Sequence, residues 1–187
     1  IDVNSTLDLA AFTLTQNKND LEFSGLTSTT GSIAADKNSA LTINGTVGTV
    51  GTLRFAPGGN TTGQFTINRP VTIPLGSDLI IEKSPLSGNF ITGTPTSILD
   101  INGNTLTING TVSGTGFLAG SNTSNLTLGG AAGTVSFATG KQVLKNLSLV
   151  NSATGTLGTP LDITAGTGPG TEGTVSVTGS AVLTTGG

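Results

Sequence analysis

One phrase, written over and over, limits what this chain can fold into. It is an apolar residue, a hydroxyl or small polar residue, a second apolar residue, then a turn. Ser97 to Gly110 carries it twice: Leu99-Asp100-Ile101-Asn102-Gly103, and seven residues later Leu106-Thr107-Ile108-Asn109-Gly110. Such alternation buries one face of an extended segment and wets the other, which describes a β-strand. Asn-Gly reads as a turn, because both residues tolerate positive φ. The form returns at Leu41–Ile43, Phe65–Ile67, Leu126–Leu128, Leu147–Leu149 and Val175–Val177. Further short strands are expected at Leu53–Phe55, Val71–Ile73, Leu79–Ile81, Val135–Phe137 and Leu161–Ile163. Gly-rich corners are expected at 58–60, 129–130 and 166–170.

From Leu106 the phrase recurs after 20, 21 and 28 residues. A coil of about 20–25 residues is the rung of a parallel β-helix or similar solenoid, with two or three short strands per rung. One rung cannot bury its apolar side; stacked rungs lay Leu over Ile over Leu and close a continuous core. The expected class is therefore all-β, a parallel β-helix. Asn44, Asn68, Asn102 and Asn109 each follow the second apolar residue of a strand. They read either as a ladder of amides bonded along the axis or as ordinary turn residues. Tandem antiparallel β-sandwiches of about 90 residues each also fit short strands with frequent turns. The likeness of the strands and an aromatic content of 4% favour the solenoid.

Longer repeats overlie this short period. Asn4–Thr15 matches Thr96–Thr107 at an offset of 92. Gly51–Phe55, Phe65–Ile67, Leu75-Gly76, Leu79 and Ile81 match Gly133–Phe137, Leu147–Leu149, Leu157-Gly158, Leu161 and Ile163 at an offset of 82. The reading is two solenoid copies, 1–96 and 97–187, the second continuous with the first. Extra residues between Gln16 and Ala40, including Lys18, Asp20, Glu22, Asp36 and Lys37, read as a polar loop excursion. Ala181–Gly187 reads as the opening of a third copy, and Ile1–Leu9 as a rung without a cap. Open rungs imply other copies as head-to-tail partners.

Charged residues make up 9% of the chain, against a usual quarter. Thr is the commonest residue, and hydroxyls supply the hydration. A net charge of −3 and a pI near 4.6 argue against nucleic acid as a partner. No run of about 18 apolar residues suggests membrane insertion. Cys, His, Tyr, Trp and Met are absent. Their absence removes thiolate metal sites, the commonest general base and two of the best sugar-stacking rings.

No catalytic, cofactor or metal site is assigned, and the chain is read as no enzyme. Glycoside hydrolysis needs two carboxyls about 5–10 Å apart. Asp8, Asp100 and Asp162 each sit between two apolar strand residues and are expected to point outward, far apart. Arg54, Arg69, Lys141 and Lys145 read as solubility charges. Lyase, calcium-repeat, serine-nucleophile and phosphate-loop patterns are missing. Thr-x-Thr pairs, such as Thr13–Thr15 and Thr105–Thr107, raise ice binding. That would need one pair per rung on one face, and the pairs recur irregularly in the sequence.

The strings Leu147–Asn151, Gly155–Ile163 and Ala181–Gly187 resemble the large β-strand-repeat surface proteins of Bacteroidota, adhesin-like substrates of type IX secretion. That resemblance implies an extracellular, modular protein at the cell surface and carries over no catalytic residue. The expected function is a non-catalytic structural or adhesive solenoid, a stalk or filament subunit, with surface glycans as possible ligands. The alternatives are a β-helix that binds or degrades polysaccharide, and an ice-binding solenoid.

Overall fold

The computed structural model describes residues 6–8, 13–16, 32–44, 50–83, 88–164 and 172–185. Among them every regular element is a strand. The strands follow one another in rungs. The first rung holds β1 (Thr6–Asp8) and β2 (Thr13–Gln16), the second β3 (Ser32–Ala35) and β4 (Ala40–Asn44). The third holds β5 (Phe55–Thr62), β6 (Gln64–Asn68) and β7 (Thr72–Pro74), the fourth β8 (Leu79–Ile81), β9 (Asn89–Thr92) and β10 (Ile98–Asp100). The fifth holds β11 (Thr105–Ile108), β12 (Val112–Gly114) and β13 (Phe117–Ala119), the sixth β14 (Asn125–Leu128), β15 (Ala131–Val135) and β16 (Val143–Leu144). The seventh holds β17 (Asn146–Leu149), β18 (Thr154–Leu157) and β19 (Asp162–Ile163), the eighth β20 (Thr174–Val177) and β21 (Val182–Thr185).

All pairings are parallel, and each joins a strand to its counterpart one rung away. Two eight-stranded sheets result. The first face runs β1-β3-β5-β8-β11-β14-β17-β20, the second β2-β4-β6-β9-β12-β15-β18-β21. A third, more broken face comprises β7, β10 and β13, the pair β16 and β19, and isolated bridges Leu53–Leu75 and Leu118–Phe137. The molecule is a parallel β-solenoid, as the phrase and its period predict. Pairs β8–β11, β9–β12 and β7–β10 cross residue 96 without a break.

The core is one cluster running along the stack. Leu41, Ile43, Phe65, Ile67, Leu106, Ile108, Leu126, Leu128, Leu147 and Leu149 all lie in it, at most 1% exposed. On the first face Leu79, Leu106, Leu126, Leu147 and Val175 stand in one column, and Ile81, Ile108, Leu128, Leu149 and Val177 in the next. On the second face Phe65 stacks on Phe90 with ring centroids 5.9 Å apart.

The long sequence repeat and the stacking repeat are different units. Phe65–Ile67 lies on the second face, and its match at offset 82, Leu147–Leu149, on the first. Leu79 and Ile81 lie on the first face; Ile163, the match of Ile81, lies on the third. At offset 92, Leu7 is on the first face and Leu99 on the third, while Leu14 is on the second and Leu106 on the first. Both offsets equal four rungs less one face.

Corners repeat a device that the strand phrase does not reveal. Ser39, Ser97 and Ser124 are fully buried and precede β4, β10 and β14. Each closes a tight turn by donating its N–H to the carbonyl three residues back, on Asp36, Thr94 and Ser121. Each hydroxyl also meets the side chain of that residue, at 3.1, 2.8 and 2.9 Å. The Ser97 hydroxyl further donates to the Arg69 carbonyl at 2.8 Å. Ser97→Ala leaves that buried carbonyl without this donor. The expected loss is about 1 kcal/mol, read as a lower urea midpoint at unchanged m-value.

Asn-Gly has two uses here. Asn102 and Gly103 take φ of +51° and +80°, a turn closed by Asn104 N–H on the Ile101 carbonyl. At Asn109-Gly110 the requirement is closeness: a Cβ on Gly110 would meet the Gly88 carbonyl oxygen at 2.0 Å. The expected corner at 58–60 lies within β5, as a bulge that shifts the pairing from Ile33–Phe55 to Ala35–Asn60. Within the expected loop excursion, Ser32–Ala35 is the strand β3 and Asp36-Lys37 begin a turn; Lys18, Asp20 and Glu22 lie outside the described residues. The corner at 166–170 lies outside them also.

Candidate functional site

The two long sheets put every second side chain outward, and parallel pairing in register turns those side chains into columns. On the first face Thr61, Ile80, Thr107, Thr127, Ser148 and Ser176 form one column. Beside it, Thr105, Asn125, Asn146 and Thr174 form a second over rungs five to eight. On the second face Thr42, Thr66 and Ile91 continue to Ser113, and further along Thr134, Thr156 and Thr184 are aligned. Successive members are about 4.8 Å apart, the strand spacing. The irregular recurrence seen in the sequence comes from unequal corner lengths; the sheet register removes much of it.

An amide ladder exists, in a different place from the one expected. Asn146 Nδ2 donates to Asn125 Oδ1 at 2.7 Å, and Thr174 N–H donates to Asn146 Oδ1 at 3.2 Å. One rung below the column, Asp78 Oδ1 accepts from Thr105 N–H at 2.7 Å. Of the four asparagines singled out from sequence, Asn44 and Asn68 are register partners. Asn102 donates instead to the Leu75 carbonyl at 2.9 Å, and Asn109 to Glu82 Oε2 at 2.8 Å.

Strands of the first and second faces in rungs two to eight contain no Asp, Glu, Lys or Arg. Charge in those rungs is confined to corners and to the third face, where Asp100 and Asp162 sit on β10 and β19. The Asp8 side chain lies outside the described residues; its strand is in rung one of the first face. Asp8 and Asp100 are thus on different faces, three rungs apart. Asp100 is half-buried and holds the Asn102 N–H at 2.9 Å; Asp162 is exposed. No group of three or more metal-ligating side chains lies together among the described residues. No helix among them is long and apolar enough to cross a membrane.

The arginines differ from the expected solubility charges. Arg69 is 3% exposed, and Arg54 is half-buried. Arg69 precedes Pro70 at the corner between β6 and β7. Arg54 runs across Gly76, where a Cβ would meet its Cγ at 2.6 Å, and its Nη1 is enclosed without a hydrogen bond. Lys141 and Lys145 are exposed, as expected.

Two shallow grooves flank the β5 bulge. One of about 440 Å³ is lined by Ala34, Ala35, Asp36 and Ala56–Gly59. The other, about 220 Å³, is lined by residues including Phe55, Pro57, Ser77 and Asp78. Their carboxylates are occupied structurally. Asp36 accepts from the Asn38 N–H at 2.8 Å, from Asn38 Nδ2 at 3.1 Å and from the Ser39 hydroxyl. The Asn38 backbone bond, then its side chain, hold the Asp36 carboxyl below its usual range. A depressed folded value adds stability above the unfolded pKa near 3.8, and that contribution disappears as pH falls through the folded value. Asp36→Asn is therefore expected to weaken the acid dependence of stability below about pH 4, measured by urea unfolding across pH.

No family model, curated protein or solved structure matches the chain.

Proposed function

We propose that this chain is a non-catalytic structural or adhesive module, an extracellular stalk or filament segment at a bacterial cell surface, that stacks head-to-tail with further rungs or copies. One observation carries the reading. The inward-facing Val175 and Val177 of rung eight stand in register over Leu147 and Leu149, yet are 52% and 51% exposed. They present the same apolar steps that each buried rung presents to the next. A further rung laid on β20 and β21 adds parallel backbone bonds and covers those valines. The placing of Asp100 and Asp162 three rungs apart on the third face supports a scaffold over a hydrolase that would use that pair. The resemblance to β-strand-repeat surface proteins and the low-charge composition rich in Thr, Ser, Asn and Gly support an extracellular place.

The test is particle length by electron microscopy and light scattering. Eight rungs at about 4.8 Å span about 40 Å. The chain is expected to form longer particles of unchanged width, and Val175→Lys/Val177→Lys to shorten them to single modules. A chain that stays one module long at high concentration overturns head-to-tail stacking. Release of reducing sugar from a polysaccharide, lost on Asp100→Asn or Asp162→Asn, overturns the non-catalytic reading.

A further inference from the structure

A sheet face that meets only water ordinarily carries Lys and Glu, for solubility and to discourage pairing. The second face carries neither on any strand of rungs two to eight. The first face shares this lack of charge but is broken by the bulge at Ala56–Asn60. The second carries a shorter irregularity, a register shift between Ala131 and Gly133 on β15. Near its far end lies a groove of about 320 Å³, lined by Gly133, Thr154, Gly155, Thr156, Val182 and Thr184. Val182 is 55% exposed. Its neighbours Ala181 and Leu183 pack against the core, so Val182 points outward from the sheet. Its exposure is separate from the open valines of β20, which point inward.

We propose that the second face is a lateral docking surface for a second copy of this chain, lying parallel and side by side about a two-fold axis along the stack. The period argues for a copy. Any contact made at one rung of such a pair is offered again at the next, because both partners share one strand spacing; this is how facing sheets interdigitate. Charge argues the same way: self-pairing through the third face brings Asp100 and Asp162 toward their own like charges, while the second face has none to oppose. The symmetry reverses positions across the strand at equal height, so Val182 of one copy faces the Thr184 side of the other's groove, and the reverse, as an isologous contact requires. A saccharide is less suited. Among the described residues Phe55, Phe65, Phe90 and Phe137 are buried and Phe117 lies on β13 of the third face, so none of them offers a stacking ring here.

Area decides the strength. Seven strands at about 4.8 Å by four residues at about 3.3 Å give roughly 400 Å² per copy. The total of about 800 Å² is below the ~1,200 Å² at which stable complexes begin. Single modules therefore pair weakly, and longer stacks pair more tightly because the contact repeats.

The experiment is sedimentation equilibrium in the Val175→Lys/Val177→Lys background, so failure of end-to-end stacking does not bear on it. A concentration-dependent dimer is expected. Thr66→Lys/Thr156→Lys is expected to abolish it, with Thr42→Lys/Thr184→Lys as a second pair should the first not fold, and Asp162→Lys to leave it unchanged. The chain has no native thiol. Thr66→Cys should therefore cross-link into dimers with a short bismaleimide, far more than Lys141→Cys on the third side. A monomer at the highest attainable concentration overturns the proposal, as does a dimer indifferent to Thr66→Lys/Thr156→Lys or equal cross-linking at both cysteines. Ice-growth inhibition or glycan binding by a monomer, lost in the same lysine variant, gives the face to another occupant and overturns it too.

Discussion

Replacing Ile108 by aspartate is expected to destabilise the stack by on the order of 5 kcal/mol, comparable with the whole stability of a small domain. Ile108 is fully buried, between Ile81 below and Leu128 above. Removing its side chain alone costs about 2–5 kcal/mol. The carboxylate adds a charge among aliphatic side chains, where burial raises its pKa above the unfolded value. The sign follows: the penalty is smallest below the unfolded pKa near 3.9, where the group is neutral in both states, and grows as pH rises through it. Each rung touches only its neighbours, so the damage should be local first. Proteolysis is expected to cut near rung five before either flank. Thr107→Asp, one residue away and outward-facing, should change stability by less than about 1 kcal/mol. Urea unfolding of both variants at pH 3 and 7 checks the pair. Equal effects at positions 107 and 108 would remove the inward-outward assignment of β11.

Gly114→Val is expected to cost about 3 kcal/mol, from backbone strain together with the collision it forces. Gly114 has φ +99°, where an L side chain is strained, and a Cβ there would meet the Thr92 carbonyl oxygen at 1.9 Å. The approach is not incidental. That carbonyl accepts the Thr115 N–H at 3.0 Å, and the Thr92 hydroxyl accepts the Gly116 N–H at 2.9 Å. Thr92 is itself buried, so moving the strand away leaves its polar atoms poorly satisfied. Val182→Gly, an exposed outward site, is the contrast, with a loss within about 1 kcal/mol. Thermal melts of the two variants decide. A Gly114→Val protein that melts with the parent would show that rung five can shift from rung four without loss.

Strand existence and inward residues were legible in the sequence because alternation is a local property. Leu106-Thr107-Ile108 needs no partner to declare which side is buried. The face each strand occupies was not legible, because the phrase is the same wherever it lies; Phe65-Thr66-Ile67 and Leu126-Thr127-Leu128 read alike and sit on different sheets. The third face was hard to see for another reason. Strands of two residues, such as Val143–Leu144 and Asp162–Ile163, are too short to alternate. The buried corner serine has a signal in the sequence: Asp36, Thr94 or Ser121, then Ser three residues later, then a strand. The charge-free faces could not be read beforehand, since residues from seven separate strands meet there only through the topology. Arg69 reads as solvated in the sequence, because nothing local to a charged residue announces that its corner is buried.

The mismatch of four rungs less one face bears on which insertions and losses such a chain can tolerate. A segment duplicated at either offset would re-enter the stack one side out of phase and meet no obstacle, because the words it carries are spelled for any side. Insertion and loss in this gene are then limited less by where a block begins than by whether it closes a whole circuit. Excising residues 106–125 removes one lap, Leu106 to Leu126 in register, and should leave the later strands on their own sides. Excising an 82-residue block would turn everything downstream by a third of a revolution, and the uncharged sides would no longer run straight.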